Sequence, residues 1–220
     1  MREYNREQWQ SFAAVKAAVD KMQDGEIAAL RSAVEPYIAF RRELRAFHER
    51  FFAPHCMARC FETAQSACCG FESIFTFFSD QAITYLLSGP EERDRIFQAL
   101  LHPSRSDRCV YLGPKGCVWV LPPISCAFFY CDAVKEQVFA ADPQAASIWR
   151  HLREAEKAFT YPDRPVLFDT VEALFRAHGV DSPHMYFHKS PGLLRIKREA
   201  GLVADRPRRG PLSAEETIRS

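Results

Sequence analysis

The eight cysteines constrain this chain more than any other feature, because all of them lie between Cys56 and Cys131. The residues before and after that span contain none. A random scatter over 220 residues would seldom leave both ends of a chain empty. The confinement therefore predicts that the cysteines serve one site or two adjacent sites.

The sequence carries no apolar run near the roughly 18 residues that a membrane helix needs. Its charged start, Met-Arg-Glu-Tyr-Asn-Arg, is not followed by the apolar segment of a secretory signal. We therefore expect a cytoplasmic protein with no membrane partner. Thiols are kept reduced in that compartment, so clustered cysteines indicate metal binding or catalysis rather than a disulfide framework.

Thiolates are the ligands that zinc ions and iron–sulfur clusters prefer, because soft sulfur matches these metals. Each such site takes about four ligands, so eight sulfurs suffice for two four-thiolate sites or for one site with spare thiols. Cys68 and Cys69 are adjacent, and adjacent side chains point in different directions. Either one of the two binds the metal while the other packs, or each serves a different site. The candidate ligands are Cys56, Cys60, Cys68, Cys69, Cys109, Cys117, Cys126 and Cys131.

Three alternatives to metal binding stay open. Buried structural thiols pack as small hydrophobic side chains, and disulfides form in oxidising compartments. A nucleophilic cysteine with a histidine base is a third possibility, since His55 adjoins Cys56. Catalytic pairs meet in space rather than in sequence, however, so that adjacency carries little weight. Metal binding is the interpretation that the confinement favours.

Helical patterns lie on both sides of the cysteines. A second apolar stripe runs from residue 30 to 51 and contains Pro36, which predicts a break or a restart. Asp142-Pro143 predicts a helix start, and Asp169 to Gly179 predicts another capped helix. The first apolar stripe consists of Trp9, Phe12, Val15, Val19 and Met22. The charged face of the second stripe is predicted to face solvent and comprises Arg41, Arg42, Glu43, Arg45, Glu49 and Arg50.

The cysteine-bearing middle of the chain differs from the helical flanks in composition and apolar spacing. Between Cys56 and Gly89 only four residues are charged, and the apolar spacing is too irregular for one long helix. Ser79-Asp80 is predicted to cap a helix there, and residues 109–121 predict two short strands about a Gly-Pro-Lys-Gly turn. The segment is therefore expected to consist of short elements packed around a centre.

These patterns together predict a mainly α fold, with helical flanks around a small irregular cysteine-rich metal-binding module that contains short β elements. The predicted boundaries are an N-terminal helical region at 1–52, the module at 53–135, a C-terminal helical region at 136–204 and a mobile tail at 205–220.

The order of these elements resembles the YkgJ-type cysteine cluster family, whose members are described as zinc- or iron-chelating domains of bacteria. The resemblance covers the cysteine segment and implies a metal held by its thiolates. Cys131 lies beyond the resembling motif, so it ranks below the other seven as a ligand. The elements that carry the resemblance are Cys56/Cys60, Cys68-Cys69-Gly70, Ser73-Ile74-Phe75, Cys109–Leu112, Gly116–Trp119 and Pro123–Cys126.

The cysteine arrangement is also similar to that of the FliB-like flagellin lysine N-methylases, and this resemblance implies an iron–sulfur cluster. A [4Fe–4S] cluster is therefore favoured over zinc, and the lack of any Cys-x2-Cys pair makes a zinc ribbon a poor match. The alternative function is a cluster-dependent protein-modifying enzyme resembling the methylases. A third is a zinc-dependent module that binds nucleic acid or a protein partner. Nucleic acid is disfavoured by the net charge of +1.

Histidines add three weaker candidates. His184 and His188 are four residues apart, as metal ligands on a helix often are, but no glutamate accompanies them and coincidence is the favoured explanation. His102 precedes Pro103 and is a candidate additional ligand near the Cys109 strand.

Overall fold

The chain is mainly helical, as its patterns predict, in a computed structural model that describes residues 2–63, 65–70, 75–103, 107–161, 163–185 and 191–202. Its α-helices are α1 (Glu3–Val19), α2 (Asp24–Phe51), α3 (Ala53–Cys56), α4 (Phe78–Leu87), α5 (Pro90–Leu101), α6 (Ile124–Ala127), α7 (Asp132–Ala141), α8 (Pro143–Thr160), α9 (Leu167–Ala177) and α10 (Pro191–Glu199). The smaller elements are a π-helical turn at Met57–Phe61, a 3-10 turn at Ala67–Cys69, and strands β1 (Leu112–Gly113) and β2 (Gly116–Cys117).

Helix α4 lies at the centre of the fold, because every residue from Phe78 to Leu86 is buried. It packs against α1 and α9, while α2 packs against α8 and α9. A helix buried on all sides needs neighbours around it, and the polar side chains that it buries need hydrogen-bond partners inside the protein. Those polar side chains are Ser79, Asp80, Gln81 and Thr84.

Aromatic rings fill much of the space between the helices, and two groups of them pack along α2. The first joins α2 to α8 and α9 and consists of Tyr37, Phe40, Phe159 and Phe168. The second surrounds the C-terminal end of α2 and consists of Phe47, Phe52, Phe128, Tyr130 and Trp149. Burial of each such ring stabilises a fold by roughly 1.5–3 kcal/mol. The second cluster therefore fixes the point at which the cysteine-bearing segment begins.

Local signals in the sequence placed several elements correctly. Helix α8 begins at Pro143, and the Asp142 carboxylate accepts a hydrogen bond of 2.8 Å from the Gln144 amide. Gly179 follows α9 with a φ of +78°, a conformation that glycine adopts without strain. The two short strands pair antiparallel about the predicted turn, with Leu112 opposite Cys117.

The break predicted at Pro36 is wrong, since α2 continues through it from Asp24 to Phe51. Pro36 lies on the exposed side of the helix. Proline removes the amide that would bond the carbonyl of Ser32, and Ser32 is exposed as well. The helix can therefore tolerate the loss, because that carbonyl is on the side that faces water.

Two further expectations fall outside the described residues: the tail at 205–220 and the position of His188. Among the residues that the structure describes, no helix combines the length and the hydropathy required to cross a membrane.

A buried polar network ties α1 to α4 and to the start of the hairpin. Gln8 is fully buried, and its amide nitrogen donates a hydrogen bond of 2.6 Å to the Thr76 hydroxyl. Its amide oxygen accepts bonds from the Gln81 amide at 2.8 Å and from the Tyr111 hydroxyl at 2.6 Å. One side chain thus satisfies three buried polar groups on separate elements.

We expect Gln8→Leu to destabilise the protein by about 3 kcal/mol, because each buried group that loses its partner costs about 1–3 kcal/mol. The matched control is Gln10→Leu, an exposed position of the same helix, where we expect a change within about 0.5 kcal/mol. Urea denaturation followed by circular dichroism measures both. Equal stabilities of the two variants would contradict the role of this network.

Candidate metal centre

The cysteines occupy short elements rather than the long helices. All eight lie in the described residues and are free thiols. Cys56 ends α3, Cys60 lies in the π-helical turn, and Cys131 occupies the N-cap position of α7 without a side-chain capping bond. Four of the eight are exposed and four are partly buried, so none is a fully buried core residue. The exposed ones are Cys68, Cys117, Cys126 and Cys131.

The first cysteines are brought together by the helical run that follows α2. Cys56 and Cys60 are four residues apart on the continuous run of α3 and the π-helical turn. The carbonyl of Cys60 accepts hydrogen bonds from the amides of Gln65, at 2.9 Å, and Ser66, at 3.0 Å. These bonds return the chain toward Cys60 just before Cys68.

Aromatic stacking brings Cys131 to the same place. The ring of Tyr130 lies on the ring of Phe52 with centroids 3.8 Å apart, and its hydroxyl is 3.1 Å from Nδ1 of His48. Cys131 directly follows Tyr130, and Cys56 is one helical turn beyond Phe52, with its amide bonded to the Phe52 carbonyl at 2.9 Å. The stack therefore fixes the start of α7 beside α3.

A backbone contact joins the adjacent cysteines to the hairpin. The amide of Cys109 donates a hydrogen bond of 2.7 Å to the carbonyl of Cys69, and Gly70 forms a β-bridge with Arg108. The carbonyl of Cys109 accepts a bond of 3.0 Å from Leu112, whose strand partner is Cys117. Three cysteines from two distant segments thus meet at this edge.

A buried ion pair holds the loop that carries Cys126, the first cysteine after the hairpin. Arg41 donates hydrogen bonds to the Pro122 carbonyl at 2.6 Å and to the Tyr37 hydroxyl at 2.9 Å, and it lies 3.9 Å from the Asp80 carboxylate. Asp80 accepts a bond of 3.2 Å from the amide of Ile124, two residues before Cys126. The pair therefore anchors the loop that carries this thiol.

One sequence-based expectation fails at that ion pair. Arg41 was grouped with a solvated charged face, but it is only 5% exposed because its guanidinium turns inward to Asp80. Asp80 lies in the first turn of α4, where its carboxylate bonds the backbone of the N-cap residue Phe77, and it also binds the neighbouring loop. Arg41 lies four residues after Tyr37 and three before Leu44, so helical periodicity is the signal that separates it from its exposed neighbour Arg42.

Electrostatics among the thiols are repulsive. Burial and then the charges of Cys68, Cys131 and Cys60 raise the pKa of Cys56 to about 11. Burial also raises the pKa of Cys109 to about 11, with Cys126 and Cys68 adding to it.

The Cys117 residue is exposed as a whole, yet protein crowding about its sulfur, with the charges of Cys109 and Cys126, raises its pKa to about 12. Thiols in these environments are mainly protonated at neutral pH, so metal binding would have to displace their protons.

The adjacent pair behaves differently from the others. A hydrogen bond from the Cys69 thiol lowers the pKa of Cys68 to about 6, and the same bond raises the pKa of Cys69. One proton is thereby shared between the two sulfurs at neutral pH. Cys68 is the exposed member, so it supplies the thiolate that an incoming thiophilic metal would meet first.

The donor set fits a soft metal, although the sulfurs do not enclose one. Across residues 2–63, 65–70, 75–103, 107–161, 163–185 and 191–202, no three His, Cys, Asp or Glu side chains are close enough together to hold a metal ion. Reduced thiols are nevertheless the donors that zinc ions and iron–sulfur clusters prefer, and a bound cation stabilises neighbouring thiolates that would otherwise repel one another.

The candidate histidines lie elsewhere or make other contacts. Nε2 of His184 is 3.3 Å from the amide nitrogen of Gln8, at the polar network of α1. His102 is exposed at the C-terminal end of α5, and His55 is partly buried beside Cys56. These positions give no support to a His184 metal site.

Comparison with known proteins adds no relative: no protein-family model, curated protein or solved structure matches this chain.

Proposed function

We propose that this protein binds metal through the thiolates of its cysteine-rich segment at 53–135, with a [4Fe–4S] cluster as the favoured centre and zinc as the alternative. The observation that supports the proposal is that the segments bearing the eight free thiols converge toward the 3-10 turn at Ala67–Cys69, although no three of the described ligands are close enough together to hold a metal ion. Those segments are far apart in sequence, and aromatic stacking, backbone bonds and a buried ion pair hold them there.

A packing role explains these thiols less well. A cysteine that serves as a small hydrophobic side chain is normally among the most buried residues of a protein. Four of the eight are exposed, and Cys68 has the lowered pKa of a reactive thiolate. Exposed, reactive thiols are prone to oxidation unless a ligand occupies them. Metal ligation gives all eight a common role.

The resemblance to the lysine N-methylases is what favours an iron–sulfur cluster over zinc. Spacing argues against a zinc ribbon, which draws its ligands from Cys-x2-Cys pairs, because the short gaps here are of three, four, seven and eight residues with one adjacent pair. The phenols of Tyr4, Tyr111 and Tyr130 lie near cysteine sulfurs, whose charges add to the effect of burial in raising the pKa of these phenols.

The residues themselves would hold and orient the centre. A bound cluster would supply one-electron redox chemistry, and bound zinc would supply a structural link. The protein contributes the thiolates, releases their protons on binding, and keeps the surrounding segments in place through Arg41, Asp80 and the Phe52–Tyr130 stack.

The test is anaerobic purification followed by absorbance spectroscopy and by analysis of iron, acid-labile sulfide and zinc. We expect a brown protein with iron, sulfide and a broad band near ~400 nm, which is typical of iron–sulfur charge transfer. A colourless protein with stoichiometric zinc supports thiolate metal binding and overturns the cluster. A protein that is metal-free, and that stays so after anaerobic incubation with iron and sulfide or with zinc, overturns the proposed function.

A further inference from the structure

The thiols of Cys68 and Cys69 are in direct contact. The Cys69 thiol donates a hydrogen bond to the Cys68 sulfur, so the two side chains lie together, whereas adjacency in the sequence predicts that they diverge. Both residues belong to the 3-10 turn at Ala67–Cys69, where the Cys69 amide bonds the Ser66 carbonyl at 2.8 Å. The Cys69 carbonyl accepts a bond of 2.7 Å from the Cys109 amide. The backbone on both sides of the Cys69 thiol is therefore fixed.

The geometry of this pair suits dithiol chemistry. A zinc site takes about four ligands, and within the part of the chain that the structure describes no three ligating side chains are close enough to hold a metal ion. A disulfide, by contrast, needs only two sulfurs. The contact between Cys68 and Cys69 supplies those two. Oxidation of the pair to a disulfide is therefore the reaction that this contact allows in the metal-free protein.

Exposure gives the two thiols different roles. Cys68 is exposed and Cys69 is partly buried, so an oxidant that arrives from solvent meets the Cys68 sulfur first. The same sulfur accepts the hydrogen bond, and a hydrogen bond to a thiolate stabilises it. Cys69 lies beside it with its thiol directed at the sulfur that is oxidised. A reactive, accessible thiol with a second thiol next to it is the arrangement found in redox-sensing cysteines.

We propose that Cys68 and Cys69 are a peroxide-reactive pair that closes to a disulfide between adjacent residues when no metal is bound. The Cys68 sulfur attacks one oxygen of hydrogen peroxide. An S–O bond forms as the O–O bond breaks, and the released hydroxide leaves as water with the proton of the Cys68 thiol. The Cys69 sulfur then attacks the sulfenic acid. An S–S bond forms as the S–O bond breaks, and the second hydroxide leaves as water with the Cys69 proton. The two thiols lose two electrons in total, and the peroxide gains them.

The closed pair is expected to be strained and therefore readily reduced. Consecutive Cα atoms are about 3.8 Å apart, which is less than the roughly 4.4–6.8 Å that disulfides usually span. Strained or exposed disulfides have more oxidising potentials than structural ones and are the labile class. The modification is thus reversible by small thiols.

The inference goes beyond the proposed function and does not depend on it. A bound metal would occupy the two sulfurs, so the reaction belongs to the metal-free chain. Because Cys68 and Cys69 are neighbours in sequence, their sulfurs stay within reach of each other even where the surrounding segments lose protection.

Peptide mapping after peroxide treatment tests the proposal. The full-length protein is reduced, freed of metal with a chelator under anaerobic conditions, treated with hydrogen peroxide, alkylated, and digested with trypsin and Glu-C. Cleavage after Glu62 and Glu72 releases residues 63–72, whose only cysteines are Cys68 and Cys69. We expect this peptide to be lighter by two hydrogens and to resist alkylation, and to regain two alkylatable thiols after dithiothreitol. Residues 109–115 contain Cys109 alone and are the internal control, which should stay alkylatable.

Single serine variants assign the roles of the two thiols. In Cys69→Ser, Cys68 has no neighbouring thiol to attack it, so we expect its sulfenic acid to accumulate and to be trapped by dimedone in residues 63–72. In Cys68→Ser, dimedone labelling of the same peptide should be at least about tenfold lower, because the less accessible thiol remains. Retention of wild-type helical circular dichroism checks the folding of both variants.

The mapping of wild-type protein needs no variant and can overturn the proposal alone. Residues 63–72 that keep both thiols under peroxide, that become irreversibly oxidised, or that are bonded to another cysteine peptide would each contradict closure of the pair. Equal dimedone labelling of the two serine variants would show that Cys68 is not the attacking thiol. The metal content of untreated protein is measured separately, so the proposed metal-binding function stands or falls on its own result.

Discussion

Removal of the proposed metal is expected to unfold residues 56–70 and 107–131 while most of the helical flanks stay folded. The elements in these ranges are single turns, four-residue helices and two-residue strands, which are too short to be stable alone. Metal binding in such segments supplies folding free energy, so its loss removes their order. Helix α4 lies between the two ranges but is buried against α1 and α9, so we expect it to remain protected.

Hydrogen exchange measured by mass spectrometry, on the metal-loaded protein and on protein treated anaerobically with a chelator, checks this result. Amides in 56–70 and 107–131 should lose most of their protection, whereas those of α1, α4 and α9 serve as the internal control. Circular dichroism should retain most of its helical signal. Unchanged exchange in both cysteine-bearing ranges would mean that the centre does not stabilise them.

Local structure was predictable where a few neighbouring residues determine it. The start of α8 follows from Asp142 and Pro143, and the end of α9 follows from Gly179, because caps act within one helical turn. The hairpin between Cys109 and Leu121 follows from its turn residues in the same way. The confinement of the cysteines to residues 56–131 was likewise visible in the sequence alone.

The arrangement of the candidate site was not predictable, because it depends on contacts between distant residues. The bond between Cys69 and Cys109 spans the whole of α4 and α5, and the Phe52–Tyr130 stack spans more of the chain. Arg41 lies four residues after Tyr37 and three before Leu44, so the apolar stripe of α2 passes through it, whereas its charge assigned it to solvent. Its partners Asp80 and Pro122 come from segments far along the chain, which the sequence does not place beside it.

Arg41→Leu is expected to destabilise the protein by about 3–5 kcal/mol at pH 8, the usual cost of removing one partner from a buried ion pair. Burial raises the pKa of Asp80 to about 6, and the positive charge of Arg41 opposes that rise. Without Arg41 the carboxylate stays buried with no counter-charge, and the pKa of Asp80 rises further. The variant also removes the donor to the Pro122 carbonyl.

The sign of the pH dependence follows from proton binding. The folded state holds the Asp80 proton to higher pH than the unfolded state, whose pKa is near the ordinary value of 3.8. Unfolding then becomes easier as pH rises through the folded pKa. Between about pH 4 and 6 the wild-type protein loses the stability that protonated Asp80 contributes. The Arg41→Leu variant continues to lose stability above about pH 6. The difference between the two proteins should therefore be smaller at pH 5 than at pH 8.

Two controls separate this effect from general loss of charge. Arg42→Leu removes an exposed guanidinium 3.1 Å from Glu35, and we expect a change of about 1 kcal/mol or less at both pH values. Arg41→Leu/Asp80→Asn removes the titrating carboxylate as well. Its loss of unfolding free energy relative to wild type should therefore not grow between pH 5 and 8, even though Glu156 also interacts with Arg41. Denaturant titrations at the two pH values give the comparison. An Arg41→Leu deficit that is the same at pH 5 and pH 8 would show that the buried carboxylate is not what the arginine stabilises.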